Sequence, residues 1–144
     1  MYPRAKVLGI VYRGDKILVE EFHGLHSTGE GTYYRPIGGS IEFGEKSSNA
    51  LIREYFEELK VEIKIKHYLG CLENIFKVDE KMGHELIQLY VVELKNEADY
   101  ERKTFIVMEG NKTSVAEWIS LDEFVSKHKK LYPDGLLEQL TLNH

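Results

Sequence analysis

The stretch from Gly38 to Val61, GGSIEFGEKSSNALIREYFEELKV, restricts this chain more than any other. Paired glycines lead through a short apolar and acidic loop into a segment ending Arg53-Glu54-Tyr55-Phe56-Glu57-Glu58. Glu54, Glu57 and Glu58 stand at i, i+3 and i+4, which puts them on one face of a helix. Clustered carboxylates repel one another and raise the cost of folding, so a cation is the physical reason to keep them together. At about 100° per residue, with Ala50 at zero, Leu51, Tyr55, Leu59, Ile52 and Phe56 fall between about 100° and 240°. Glu57, Glu54 and Glu58 fall between about 340° and 80°. The wheel thus predicts a helix from about Lys46 to Leu59, with an apolar face to bury and a separate face of carboxylates. Arg53 borders the acidic arc four residues before Glu57, where the two can pair.

What surrounds this helix reads as scaffold. With 144 residues the chain has the length of one domain, expected to span 1–144. A hydrophobic share of 42% is too high for a disordered chain. The net charge of -5, with no basic stripe or tract, argues against a nucleic-acid backbone as the main partner. The one basic run, Lys127-His128-Lys129-Lys130, is expected at a helix C-terminus, complementing the dipole. Cys71 is the sole cysteine, so no intrachain disulfide forms, and a buried apolar filler is the expected role. The N-terminus lacks the apolar run and cleavage site of a signal peptide. Nothing approaches the roughly 18 consecutive apolar residues of a membrane span. A cytoplasmic protein without membrane contact is the expectation.

In chain order, Ala5–Tyr12 and Lys16–Phe22 flank Arg13-Gly14-Asp15 and predict a largely buried β-hairpin. His23–Thr32 holds three glycines and no period, which reads as a loop, with His23 and His26 exposed in it and not metal ligands. Tyr33–Ile37 is a short extended piece, and at Gly38-Gly39 the backbone must bend or come close to something. Val61–Val78 opens with strict alternation, carries Gly70 as a bulge signal, and pairs through a turn at Asp79–Gly83 with His84–Leu94. Asn96–Asn111 reads as irregular. Thr113–Ile119 is a strand, followed by the capping box Ser120-Leu121-Asp122-Glu123 of a helix to about Lys129. A last short helix carries Leu136, Leu137 and Leu140. The sum is a mixed α+β domain.

Carboxylates on a helix beside a glycine-bent loop suit a hard divalent cation bound through oxygen. Mg²⁺ fits best, with Mn²⁺ as a substitute, and zinc is disfavoured because no His or Cys belongs to the set. Such a cation neutralises phosphate oxygens and acidifies an attacking water. The residues alone therefore point to metal-dependent hydrolysis of a phosphate ester or anhydride. Their bland alternative is a solvated acidic helix face.

The segment also resembles the Nudix box, G-x5-E-x7-R-E-U-x-E-E-x-G-U with U a bulky apolar residue. Gly39, Glu45, Arg53, Glu54, Tyr55, Glu57, Glu58 and Val61 occupy motif positions, while Lys60 replaces the second glycine. Arg35-Pro36-Ile37-Gly38-Gly39 and Trp118–Glu123 resemble the flanking features of that family. The resemblance implies an α/β/α sandwich around a central mixed sheet, and hydrolysis of a nucleoside diphosphate linked to another moiety. It implies Glu54, Glu57 and Glu58 as metal ligands and catalytic residues, and the Gly38 carbonyl as a backbone ligand. Arg53 would orient Glu57, and Glu45 would pack or pair at the helix entrance. Among Glu85, Glu101, Glu109 and Glu117, Glu85 is the preferred further glutamate for a base or extra ligand. Tyr33, Tyr34 and Arg35 are substrate-binding candidates, able to stack on a base or hold phosphate; the tyrosines read equally well as ordinary strand residues. At Lys60 the chain either takes the left-handed conformation that glycine adopts at a helix end, at a local cost, or leaves the helix differently; no ligand is lost. Two rivals stay open: a catalytically silent domain that senses nucleotides or binds a partner, and a hydrolase of non-nucleotide diphosphates. Exposed sheet edges leave room for a homodimer.

Overall fold

A computed structural model describes residues 2–26 and 29–142. Its strands are β1 (Arg4–Ile10), β2 (Tyr12–Arg13), β3 (Lys16–His26), β4 (Gly29–Ser40), β5 (Ile63–Val78), β6 (Lys81–Leu94), β7 (Thr104–Glu109) and β8 (Lys112–Ser120). The helices are α1 (Ser47–Leu59), α2 (Leu121–Val125) and α3 (Leu136–Leu142), with a 3₁₀ turn at Glu97–Glu101.

The first apolar run becomes a central strand and not one arm of the predicted hairpin. β1 pairs antiparallel with β4 on one side and parallel with β6 on the other. A strand paired on both edges and covered on both faces has to be apolar, and Val7, Leu8 and Ile10 are buried. The turn at Gly14 is real, with φ 64°, but it joins β3 only to β2. Long-range pairing with β6 outcompetes the local hairpin.

The sheet runs β5-β6-β1-β4-β3-β8-β7, mixed and open, with β2 attached to β3. α1 covers one face, where Leu51, Tyr55 and Leu59 meet Val7, Ile37, Ile63, Val92 and Phe105. Phe124 of α2 and Leu136 and Leu140 of α3 cover the other face against Ile10, Ile17, Val19 and Leu89. The result is the α/β/α sandwich around a mixed sheet.

Several local expectations change. The predicted loop His23–Thr32 is paired strand, with His23 opposite Thr32 and Gly24 opposite Gly31. Its glycines carry no side-chain alternation, which hid the strands; Ser27 and Thr28 lie outside the described residues. The irregular stretch Asn96–Asn111 contains β7, whose Phe105 and Val107 are buried. α2 is capped by Ser120 Oγ, which accepts from the Asp122 amide at 3.2 Å. It ends at Val125, so the basic run 127–130 lies beyond the helix and does not complement its dipole. The bulge expected at Gly70 is present, and the register shift turns Cys71 outward, exposed and not a buried filler. Among the described residues no helix is long and apolar enough to cross a membrane.

Candidate active site

α1 starts after Lys46, which is extended, and stops at Lys60, which takes φ 60° and ψ 33°. The left-handed lysine therefore does what glycine does in the box: its amide donates to the Phe56 carbonyl at 3.0 Å. Its Nζ also donates to the Glu57 carbonyl at 2.9 Å, satisfying an orphan acceptor at the negative helix end.

The wheel needs correcting. Ala50, Leu51, Tyr55, Glu58 and Leu59 are buried, whereas Ile52 and Phe56 are 39% and 55% exposed. On the same wheel the buried arc runs from about 0° to 180°, so Glu58 lies inside it and the carboxylate face is not opposed to it. Glycines cause the rotation. A Cβ on Gly9 would lie 2.9 Å from Leu51 and 3.0 Å from Tyr55, and one on Gly39 would lie 2.5 Å from the Glu54 carboxyl carbon. The helix closes onto this bare track, and Tyr55 donates its hydroxyl to the Gly9 carbonyl at 2.8 Å. Gly38 serves the strands instead, since a Cβ there would run into the Val7 carbonyl. The glycine pair marks close approach, not a bend.

Rolled inward, Glu58 is 4% exposed, and its Oε2 is buried without a hydrogen-bond partner. Glu20 of β3 is 3% exposed; Ser114 Oγ donates to its Oε2 at 2.6 Å, while Oε1 has no partner. Burial, then the charges of Glu20, Glu54 and Glu109, push the Glu58 carboxyl up to about 9. Burial likewise raises Glu20, opposed by the Ser114 hydrogen bond. Lys6 and Arg35 share the pocket with Gly38, Gly39, Glu54, Glu57, Glu58 and Glu109. Arg35 Nε is also buried without a partner, and its guanidinium lies 4.9 Å over the Phe22 ring. The partnerless Glu58 oxygen, beside Glu54, Glu57 and Glu109 and with no His or Cys in the pocket, fits a hard divalent cation. Among the described residues no three His, Cys, Asp or Glu side chains already stand gathered as a metal cage.

Arg53 reaches Glu57, the partner expected, and binds others more closely. It clamps Glu45 through Nε at 2.8 Å and Nη2 at 3.0 Å, reaches Glu54 at 2.9 Å, and donates to the Ser40 carbonyl at 3.0 Å. Glu57, 56% exposed, is its longer contact at 3.4 Å. Arg53 thus ties the loop before α1 to the helix and holds Glu45 down to about 2. The accessory pairing expected of Glu45 is this clamp.

The remaining candidates separate. Tyr34 is not at the site: it is buried against Phe124 and donates its hydroxyl to Glu21 at 3.1 Å. Tyr33 and Arg35, its strand neighbours, line a second pocket that shares Lys6, Arg35 and Gly39 with the acidic one. Glu85 lines that second pocket and not the acidic one, where Glu109 stands instead. Glu20 and Lys6 escaped the sequence reading. A signal for Glu20 exists, since it falls in phase with Leu18 on a strand that otherwise reads as buried.

A family model described as NUDIX domain matches residues 2–138. Among curated proteins, the NAD-capped RNA hydrolase NudC of Haemophilus influenzae (strain PittEE) is 29% identical over 117 residues, covering 81% of this chain and 39% of that protein. The chain therefore spans well under half the length of the curated relatives it matches. A NUDIX hydrolase from Nitrosomonas europaea superposes with a TM-score of 0.70 at 18% identity, covering 99% of this chain and 89% of that one. An ADP-ribose pyrophosphatase from Streptococcus suis 89-1591 gives a TM-score of 0.63 at 16% identity, over 98% and 89% of the two chains. At these identities the structural likeness speaks for the fold.

Proposed function

The chain belongs to the NUDIX domain family, and from that premise we propose that it is a divalent-cation-dependent pyrophosphohydrolase of nucleoside diphosphates linked to another moiety. The observation that supports this best is the burial of Glu58 and Glu20, each with a partnerless oxygen, Glu58 in a pocket that also holds Arg35 and Lys6, and Glu20 close enough for its charge to raise the Glu58 carboxyl. Buried carboxylate oxygens that no hydrogen bond satisfies are costly, and a divalent cation held there would lower that cost.

In this reading Glu54, Glu57 and Glu58 hold Mg²⁺, or Mn²⁺ in its place, with the Gly38 carbonyl as a further ligand. The bound cation would neutralise phosphate charge and make an attacking water more acidic. Arg53 keeps Glu54 aimed and the entry loop fixed. Arg35 and Lys6 supply fixed positive charge for the diphosphate, with the guanidinium fork suited to two phosphate oxygens. Glu109, at the pocket edge, replaces Glu85 as the side chain that takes the proton of the attacking water. Products are a nucleoside monophosphate and the remaining phosphate-bearing moiety.

The test is a release assay over nucleotide sugars, dinucleotides and non-nucleotide diphosphates, with and without Mg²⁺. The curated relatives' name adds NAD-capped RNA to the panel, although the net charge of -5 does not favour a long polyanion. Mg²⁺-dependent nucleoside monophosphate release from at least one nucleotide is expected. Nucleotide binding without release across the panel would overturn the proposal.

A further inference from the structure

We infer that the second pocket receives the base of the nucleotide and selects bases carrying an exocyclic amino group, read by Asn74 and Glu85; this rests on the pyrophosphohydrolase reading of the carboxylates next door. The two pockets adjoin, with Lys6, Arg35 and Gly39 lining both. A ligand whose phosphates sit between Lys6 and Arg35 has one end among the carboxylates and the other among rings.

The ring side is built for something flat. Tyr33 stacks on Phe22 with centroids 5.3 Å apart and planes 12° from parallel. Tyr132 meets Tyr33 edge-on at 5.3 Å, and His26 meets it at 5.4 Å. Phe76 lies across Gly83, where a Cβ would collide with its ring. Aromatic walls of this kind hold a planar base through its π face, whatever its identity.

Discrimination comes from the strand wall. Asn74 of β5 and Glu85 of β6 are register partners, and Asn74 Nδ2 donates to Glu85 Oε1 at 3.3 Å. A carboxylate accepts through both oxygens, and the Asn74 bond occupies only one of them, leaving Glu85 Oε2 as the acceptor for a base. This wall attracts the amino N–H groups of adenine, guanine and cytosine. The Glu85 carboxylate repels the carbonyl oxygens that flank the imino group of uracil and thymine. Glu85 is thereby a specificity residue and not the base of the reaction.

Calorimetric titration of the full chain with the α,β-methylene analogues of ADP, GDP, CDP and UDP, which bind without turnover, tests this. The three amino-bearing analogues should bind at least about tenfold more tightly than the UDP analogue, the scale of one good base contact. Glu85→Gln, close in shape and neutral, should shrink the ratio to within about threefold by weakening the amino bases, as expected when one charge-assisted contact is lost. Should that variant melt early, Asn74→Ala, which removes the group holding Glu85, carries the same expectation. Equal binding of all four, no binding of any, or an unchanged ratio in the variants would overturn the inference. Mg²⁺-dependent turnover of ADP-glucose against UDP-glucose is read separately. Equal rates on both discard the base selection and keep the hydrolase; no turnover with base-selective binding does the reverse.

Discussion

Lys60 shows how much of this site is decided at single residues. A side chain in the left-handed region costs on the order of 1 kcal/mol, and here it stands where the box has glycine. Lys60→Gly should therefore raise the denaturant midpoint by about 1 kcal/mol of stability, less the exposed Nζ contact to the Glu57 carbonyl, without changing turnover. Glu58 makes a second prediction at this scale. Its carboxyl sits at about 9 in the fold against an ordinary 4.5, so between those values the folded state holds a proton that the unfolded chain has lost. Stability of the cation-free protein must then fall as pH rises across that window. Melting in EDTA should drop from pH 6 to pH 8, and Mg²⁺ should restore more stability at pH 8, with proton release on binding. A flat profile in EDTA contradicts the burial of Glu58. The box glutamates were legible in the sequence because i, i+3, i+4 spacing is a local rule. Glu20 was not, because nothing local connects position 20 with position 58.

At the scale of elements, the glycines explain why the wheel misplaced the buried face. Hydrophobicity alone centres that face near Leu59 and takes in Ile52 and Phe56, whereas docking on Gly9 and Gly39 rolls α1 until Glu54 and Glu58 face the strands. The two glycines of the pair then make different predictions. Gly39→Ala puts a methyl 2.5 Å from the Glu54 carboxyl carbon, the movable end of a side chain. The fold should survive while Mg²⁺ affinity falls by about tenfold or more, as for the loss of a group that positions a ligand. Gly38→Ala drives a methyl into backbone, so that variant should melt early or fail to fold. Thermal melts and Mg²⁺ titration of the pair distinguish the two roles. The hidden strands have a related cause. Residues 23–32 lack the side chains that report alternation, while the β5–β6 hairpin announced its strands, turn and bulge.

For the whole molecule, the mixed α+β content and its sandwich arrangement followed from element types, but the place of β1 did not. A Gly-centred turn between two apolar runs argues for a hairpin, and only the distant β6 supplies the reason for β1 to lie elsewhere. That placement gathers the site. β1 between β4 and β6 brings Lys6 beside Gly39 and Glu85, β3 carries Glu20 under α1, and the end of β7 adds Glu109. On the proposed function, cation, diphosphate and base would occupy two adjoining pockets that share Lys6, Arg35 and Gly39. If the α1 carboxylates bind the cation on which turnover depends, Glu57→Gln is the variant to measure, because Glu57 is exposed and its loss leaves the core intact. With a nucleotide substrate in saturating Mg²⁺, kcat should fall by about a hundredfold or more at an unchanged melting temperature. Undiminished Mg²⁺-dependent turnover in that variant would mean that the α1 carboxylates do not hold the cation.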